Sequence, residues 1–472
     1  MESARVAAAD DAVAALVARA RRAQSFFAAQ PQEFLDRACL AAGWALLNPE
    51  TNRRLSQMAV EETGLGNAAD KERKNFRKTL GLLRDIRGQK SAGVIREDRA
   101  RGLIEIARPA GVVAALTPST NPLATPLNKT INALKGGNAV ILAPPPKGAQ
   151  TGAALLQCIH AELKKAGAPA DLVQMLLPPS KDATARLMRL ADLTVVTGSQ
   201  NNVRAAYSSG TPAIGVGAGN VAVIIDETAD IAGAAAKICA SKTFDNATSC
   251  SSENHLVIVE EVYEKTARAL ADAGGVFLDG EEKKTLAAAL WKDGALNREL
   301  IARDMPVFAE RAGLGARAAR AKFLMMEETG VGPDFPFSSE KLSLALTVYR
   351  AADFAAAKAR VAELLRHQGA GHSAGIHTQI DSRPLELGLE LPACRVIVNQ
   401  AHCFANGGSF DNALPFSLSM GCGTWGGNSI SDNMNFRHYL NTTRIVRPIG
   451  GEAPKVEDIF AEYWEYCKKH GG

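Results

Sequence analysis

The chain of 472 residues is long enough for two or three domains at roughly 100–200 residues each. Its 54 basic and 50 acidic side chains leave a formal charge of +4, too small a surplus to make charge-driven nucleic-acid binding the default, and no apolar run approaches the roughly 18 uncharged residues of a membrane span. Cys39, Cys158, Cys239, Cys250, Cys394, Cys403, Cys422 and Cys467 are scattered with no Cys-x-x-Cys pair, which argues against a zinc module or a disulfide framework and points to a reducing cytoplasm.

Residues 1–92 read as helices broken near Asn48–Glu50 and Gly64–Gly66. Val13, Leu16, Val17, Ala20 and Phe27 share one face of the first helix, and Asp10 and Asp11 are expected at its start, where carboxylates suit the dipole. These acids also argue against a transit peptide in the Ala-rich N-terminus with its Arg19, Arg21 and Arg22. The stretch Asp70–Lys90 is dense in cations: Lys71, Arg73, Lys74, Arg77, Lys78, Arg84, Arg87 and Lys90. A grip on a phosphate-bearing ligand is one reading; the ordinary one, expected here, is a solvated face with Phe76, Leu80 and Leu83 turned inward.

From residue 93 the period changes. Val94–Arg96 and Gly102–Ala107 read as a hairpin around a charged turn, after which strand-like and helical runs alternate: strands at 111–116, 139–142, 172–177 and 193–196, helices at 127–135, 151–166 and 183–190. A second block opens at Val221–Ile225 and continues through His255–Val259, Leu344–Val348 and Arg395–Val398. The alternation predicts an α/β architecture, two parallel-sheet domains sharing one cleft.

Four segments carry chemistry. Gly215-Val-Gly-Ala-Gly219 leads into the apolar run Val221–Ile225, a strand where the Rossmann fingerprint needs a helix, so it is not that fingerprint and reads as backbone passing close to a ligand or another loop. Thr197-Gly-Ser-Gln-Asn-Asn opens a helix after a strand, either an anion site or an ordinary βα turn. Thr117-Pro-Ser-Thr-Asn-Pro122 does likewise, with Asn121 either an amide aimed at developing negative charge or a plain cap. Cys250 stands among small polar residues before an apolar strand, unlike Cys158 and Cys239, which read as core; it is a nucleophile or an inert loop thiol. His367, His372 and His377 lie close together, but no carboxylate or cysteine completes metal-ligand spacing, so no metal is expected.

Together, Thr117–Pro122, Ala205–Asn220, Ser241–Asn246 with Cys250, and Gly421-Cys-Gly-Thr-Trp-Gly-Gly-Asn428 resemble the CoA-acylating branch of the aldehyde dehydrogenase superfamily, over roughly residues 50 to 450. The runs Asn246–Ser252 and Glu340–Ser343 are most similar to those of acylating sulfoacetaldehyde dehydrogenases, with succinate semialdehyde and acetaldehyde enzymes as neighbours. The resemblance implies a cofactor domain (1–225), a catalytic domain (226–420), a return to the cofactor domain (421–472), and an oligomerisation arm from 93–110 and 436–450 that builds a homodimer or homotetramer.

Roles follow from the same resemblance. Cys250 matches the nucleophile, and Asn121 matches the amide that, with the Cys250 N–H, holds the oxyanion. Gly198 and Ser199 match the contact to the NAD or NADP pyrophosphate, Glu340 the carboxylate near the nicotinamide ribose, and Pro118, Ser119 and Gly217 the rest of the cofactor contacts. Two positions depart from the pattern: Leu344 stands where relatives place proline, and the run Asn399–Phe404 stands where many carry threonines. Hydrolytic relatives carry a glutamate base at the position of Gly215; without it, water attack is expected to be slow and coenzyme A to take the acyl group. His372 is the candidate for deprotonating the CoA thiol, and His402, Thr248 and Ser249 are candidates for holding a substrate sulfonate. A hydrolytic dehydrogenase releasing the free acid and a scaffold without turnover are the rival readings.

Overall fold

A computed structural model describes residues 2–470, with side chains from Asp11 onward. Four helices, Glu2–Ala28, Gln32–Leu47, Pro49–Thr63 and Ala68–Ile86, open the chain. Asn48 and Asn67 end the breaks between them, each accepting a hydrogen bond from the backbone N–H three residues on. The first helix begins at Glu2, so Asp10 and Asp11 lie within it and not at its start, as expected from sequence. Val13, Val17, Ala20 and Phe27 are buried along its inner face.

Two parallel sheets follow. The first runs, in spatial order, Val173–Met175, Ala139–Ala143, Val112–Leu116, Leu193–Val196 and Ala213–Gly215. Every residue of its three central strands is buried, which is why each reads as an apolar run, broken only by Thr194. The chain steps outward from Val112–Leu116 to one edge, then returns to Leu193–Val196 and steps to the other. The crevice beyond the carboxyl ends of these two neighbours is therefore a topological switch point, where parallel sheets bind ligands.

The second sheet runs Gly275–Phe277, Phe323–Glu327, Ala345–Ala351, His255–Val259, Ala222–Ile225, Ala374–His377 and Val396–Val398, all parallel. Ala222–Ile225 pairs inside this sheet, so the second block opens at that strand, as the run Val221–Ile225 predicts, a few residues ahead of the domain boundary at 225 that the resemblance implies. Each sheet has its own core, and Phe416, Met434, Phe436 and Tyr439 bring the chain's end back to the first. A third, antiparallel sheet joins Gly93–Asp98, Leu103–Pro109 and Leu440–Val446. Among the described residues no helix is long and apolar enough to cross a membrane.

Candidate active site

The loop before Cys250 is held in an uncommon shape. Asp245, Asn246 and Ala247 have φ of 49°, 54° and 58°, three consecutive left-handed residues, none of them glycine. Such backbone is costly and persists only when its surroundings over-determine it. The Asp245 carboxylate supplies most of that hold: one oxygen accepts from the Asn67 N–H at 3.0 Å, and the other takes Lys71 at 3.2 Å, the Thr248 hydroxyl at 2.8 Å, and Lys74. Gly66 is required opposite, because a Cβ there would stand 1.8 Å from Asp245 Oδ1. Asn246 is fixed by donating to Asp304 at 2.7 Å.

Lys71 and Lys74 are thus buried, while Phe76 is 48% and Leu80 40% exposed. The expected orientation of the basic helix holds only in part: Lys71 and Lys74 turn inward and Phe76 and Leu80 face out, whereas Arg73, Arg84 and Arg87 are exposed and Leu83 packs on the first core as expected. The reason is non-local: the neutralising carboxylate arrives from residue 245, where helical periodicity cannot register it. The two cations hold the Asp245 carboxyl below its usual range despite burial, and burial lowers Lys71 to about 8.

Lys74 Nζ also donates to Asn121 Oδ1 at 2.7 Å and to Thr248 Oγ1 at 3.0 Å. An ammonium can only donate, so the Asn121 carbonyl must face Lys74 and its two amide protons point away. The helix Ala124–Lys135 starts at Leu123 with no side-chain cap, so Asn121 is not a capping residue. Among the described residues, neither the Asn121 amide N–H group nor the Cys250 backbone N–H has an acceptor. Together these free donors can stabilise an oxyanion on a carbon bonded to the Cys250 thiol.

Cys250 is half-buried. Its surroundings push the thiol up to about 12, chiefly by burial and then by the Glu340 carboxylate. Both groups meet at Gly219, where a Cβ would stand 2.7 Å from Cys250 Cβ and 2.8 Å from Glu340 Oε1. Glu340 is itself raised to about 8 by burial, and its Oε1 has no hydrogen-bond partner. Gly217 packs on Cys422, 2.7 Å from where its Cβ would be, so the glycine run does carry close backbone approach. Gly215 offers no carboxylate and no room for one, since a side chain there would meet Val203 and Tyr207.

At the switch point, Pro118 and Ser119 follow the strand Val112–Leu116, and Gly198 and Ser199 follow Leu193–Val196. Gly198 has φ of 155° with no atom within 4 Å of a would-be Cβ, and Ser199 caps the helix Gln200–Tyr207. Open backbone at a helix N-terminus fits a pyrophosphate, and the unpartnered Glu340 oxygen fits a hydroxyl donor.

Several expected contacts fall elsewhere. Thr248 spends its hydroxyl on Asp245 and Lys74, leaving nothing for a substrate. His402 is buried, with Nδ1 on the Ser251 carbonyl at 2.9 Å, and burial lowers it to about 4, so it presents no positive charge to a sulfonate. His372 is likewise buried and held neutral, its Nδ1 at 2.8 Å from the Ser373 hydroxyl and its Nε2 unpartnered. Ser249 does line a cavity beside Asn121, together with Lys74, Arg77, Lys78, Phe244, Cys403, Phe404 and Leu418. Cys158 and Cys239 are half-buried and pack against the first and second cores, as expected.

Residues 2–285 match the aldehyde dehydrogenase family model. An acylating sulfoacetaldehyde dehydrogenase from Cupriavidus necator is 60% identical over 97% of this chain and 93% of its own. An acetylating succinate-semialdehyde dehydrogenase from Clostridium kluyveri is 36% identical over 91% of this chain and 94% of its own. The crystal structure of an acetylating aldehyde dehydrogenase from Geobacillus thermoglucosidasius superposes with a TM-score of 0.91 at 36% identity, covering 95% of this chain and 99% of that one. With this sheet pair, this cysteine loop and these relatives, the chain belongs to the aldehyde dehydrogenase family.

Proposed function

We propose that the chain is a CoA-acylating dehydrogenase that converts sulfoacetaldehyde, coenzyme A and NAD(P)+ to sulfoacetyl-CoA, NAD(P)H and a proton, and catalyses the reverse. The observation that carries the reading is its 60% identity, over nearly the full length, to an enzyme named for that reaction. In this reading Cys250 attacks the aldehyde carbonyl and Asn121, with the Cys250 N–H, holds the oxyanion. Pro118, Ser119, Gly198, Ser199 and Gly217 hold the dinucleotide, with Glu340 on the nicotinamide ribose; the nicotinamide supplies a hydride acceptor. Cys250 is left as a thioester. The absence of a carboxylate at Gly215 favours resolution by the CoA thiol over water, and His372, buried and neutral, is the proposed base for that thiol. The arm sheet is proposed to join subunits of a homodimer or homotetramer.

The test is a mixing experiment with sulfoacetaldehyde and cofactor but no CoA. A burst of reduced cofactor near one equivalent per subunit is expected, then a stall with added mass on the Cys250 peptide, and CoA should restore turnover. Rapid multiple turnovers without CoA would transfer the assignment to a hydrolytic dehydrogenase.

A further inference from the structure

We propose that Arg77 and Lys78, on the inner face of the helix Ala68–Ile86, form the subsite that recognises the anionic tail of the aldehyde. This inference rests on the reading above and names the residues that would make it selective. Both side chains line the same cavity as Asn121 and Ser249, so the cations and the oxyanion donor share one space. In sulfoacetaldehyde one methylene separates the carbonyl carbon from the sulfur. A carbonyl held at Asn121 and Cys250 must therefore place its sulfonate in the immediate neighbourhood.

Counting protons decides which cation can serve. All three Lys74 N–H bonds are matched by Asn121, Asp245 and Thr248, and its charge is offset by Asp245. Lys78 gives two protons to the carbonyls of Gly407 at 2.7 Å and Gly408 at 3.3 Å, leaving one. Arg77 makes a single long hydrogen bond, 3.4 Å to the Ser409 hydroxyl, so four of its five N–H donors are unspent. Its guanidinium lies 4.7 Å from the centre of the Phe404 ring, which sits edge-on to Phe244 with centroids 4.7 Å apart. The aromatic pair fixes the guanidinium without consuming its donors. No carboxylate of the described residues lies within ion-pair distance of either side chain, although Asp411 acts on Arg77 and Asp85 on Lys78 from further off. Burial lowers Lys78 to about 7, so Arg77 is the cation that carries the subsite. The neutral histidine at 402 cannot take that part.

The test is steady-state kinetics of the full-length Arg77→Gln and Arg77→Lys variants with sulfoacetaldehyde and with propanal. It includes isethionate, an unreactive sulfonate, as inhibitor of propanal oxidation. Arg77→Gln should raise KM for sulfoacetaldehyde about 10- to 100-fold, the loss of one charged hydrogen-bonding partner, and leave KM for propanal within about threefold. Isethionate inhibition should weaken in step, Arg77→Lys should recover much of the loss, and KM for CoA should stay constant. Lys78→Gln, with the same expected direction, replaces Arg77→Gln if that variant fails to fold. Equal rises for both aldehydes, or a rise confined to CoA and its phosphates, would overturn the subsite. If the unaltered enzyme ignores sulfoacetaldehyde, the substrate reading fails. The subsite then stands only if isethionate competes with propanal in the unaltered enzyme and not in Arg77→Gln.

Discussion

Lys74 orients the proposed oxyanion amide without touching substrate, because a donor-only ammonium dictates which end of Asn121 it meets. Asn121→Ala should lower kcat by about 10²–10³, the usual loss of one oxyanion donor, in single-turnover assays at saturating aldehyde. Lys74→Met should lower it substantially in the native background and hardly at all on top of Asn121→Ala; additive losses in that double-mutant cycle would show that Lys74 acts by another route. The reactivity of Cys250, the proposed nucleophile, is set by its electrostatics. With the thiol raised to about 12, the rate of Cys250 alkylation by iodoacetamide should climb about tenfold per pH unit through the neutral and mildly alkaline range without a plateau. Glu340→Gln removes a charge that opposes the thiolate, so the Cys250 titration moves down and alkylation quickens. Because Glu340 ionises only near 8, the gain should be small at neutral pH and grow above it. A variant no faster than the native enzyme above pH 8 would separate Glu340 from the thiol.

The element that organises the site is the helix Ala68–Ile86 locked to the left-handed turn 245–247. Asp245 is shared by two buried lysines, the Thr248 hydroxyl and the Asn67 N–H, so Asp245→Asn leaves two cations without their counter-charge. A loss of about 3–5 kcal/mol in denaturant unfolding is expected, together with a fall in kcat as the turn relaxes; unchanged stability would mean the lysines find another partner. This junction was the part least readable from the residues in order. Strands such as His255–Val259 and Leu193–Val196 were legible to the residue, because burial on both faces demands a largely apolar run whatever the context. Cys250 and Asn121 stood out because small polar residues around a thiol, and prolines around an amide, have local signatures. The helix 68–86 has the opposite property. Its periodicity places Phe76, Leu80 and Leu83 on an apolar face; Leu83 does pack on the core, but a carboxylate some 170 positions away makes burying Lys71 and Lys74 cheaper than burying Phe76 and Leu80. His402 misled for the same reason, its charge depending on burial that no local pattern records.

At the scale of the molecule, two cores are closed and one surface is not. The three-stranded sheet presents Gly93–Asp98 and Leu440–Val446 as edges, with Val94 48% and Val446 73% exposed. Beyond it the helix Val456–His470 buries none of its side chains, though Val456, Ile459, Phe460, Tyr463 and Trp464 recur along it at helical spacing. Open sheet edges and a contiguous apolar stripe are both unfavourable in a lone chain and are ordinarily covered by another. A second copy of this chain is the economical cover, since the edge strands and the helix come from the same protomer and a two-fold interface can bury both sets at once. Light scattering coupled to size exclusion should accordingly give two or four times the mass of one chain. Replacing Phe460 and Trp464 together by Asp should shift that mass towards a single chain at micromolar concentration. The two cores, which share no residue with this helix, should keep the variant folded by circular dichroism. A native enzyme that runs as one chain, or a double variant whose mass does not change, would mean that the helix does not join subunits and that its apolar stripe must be covered in some other way.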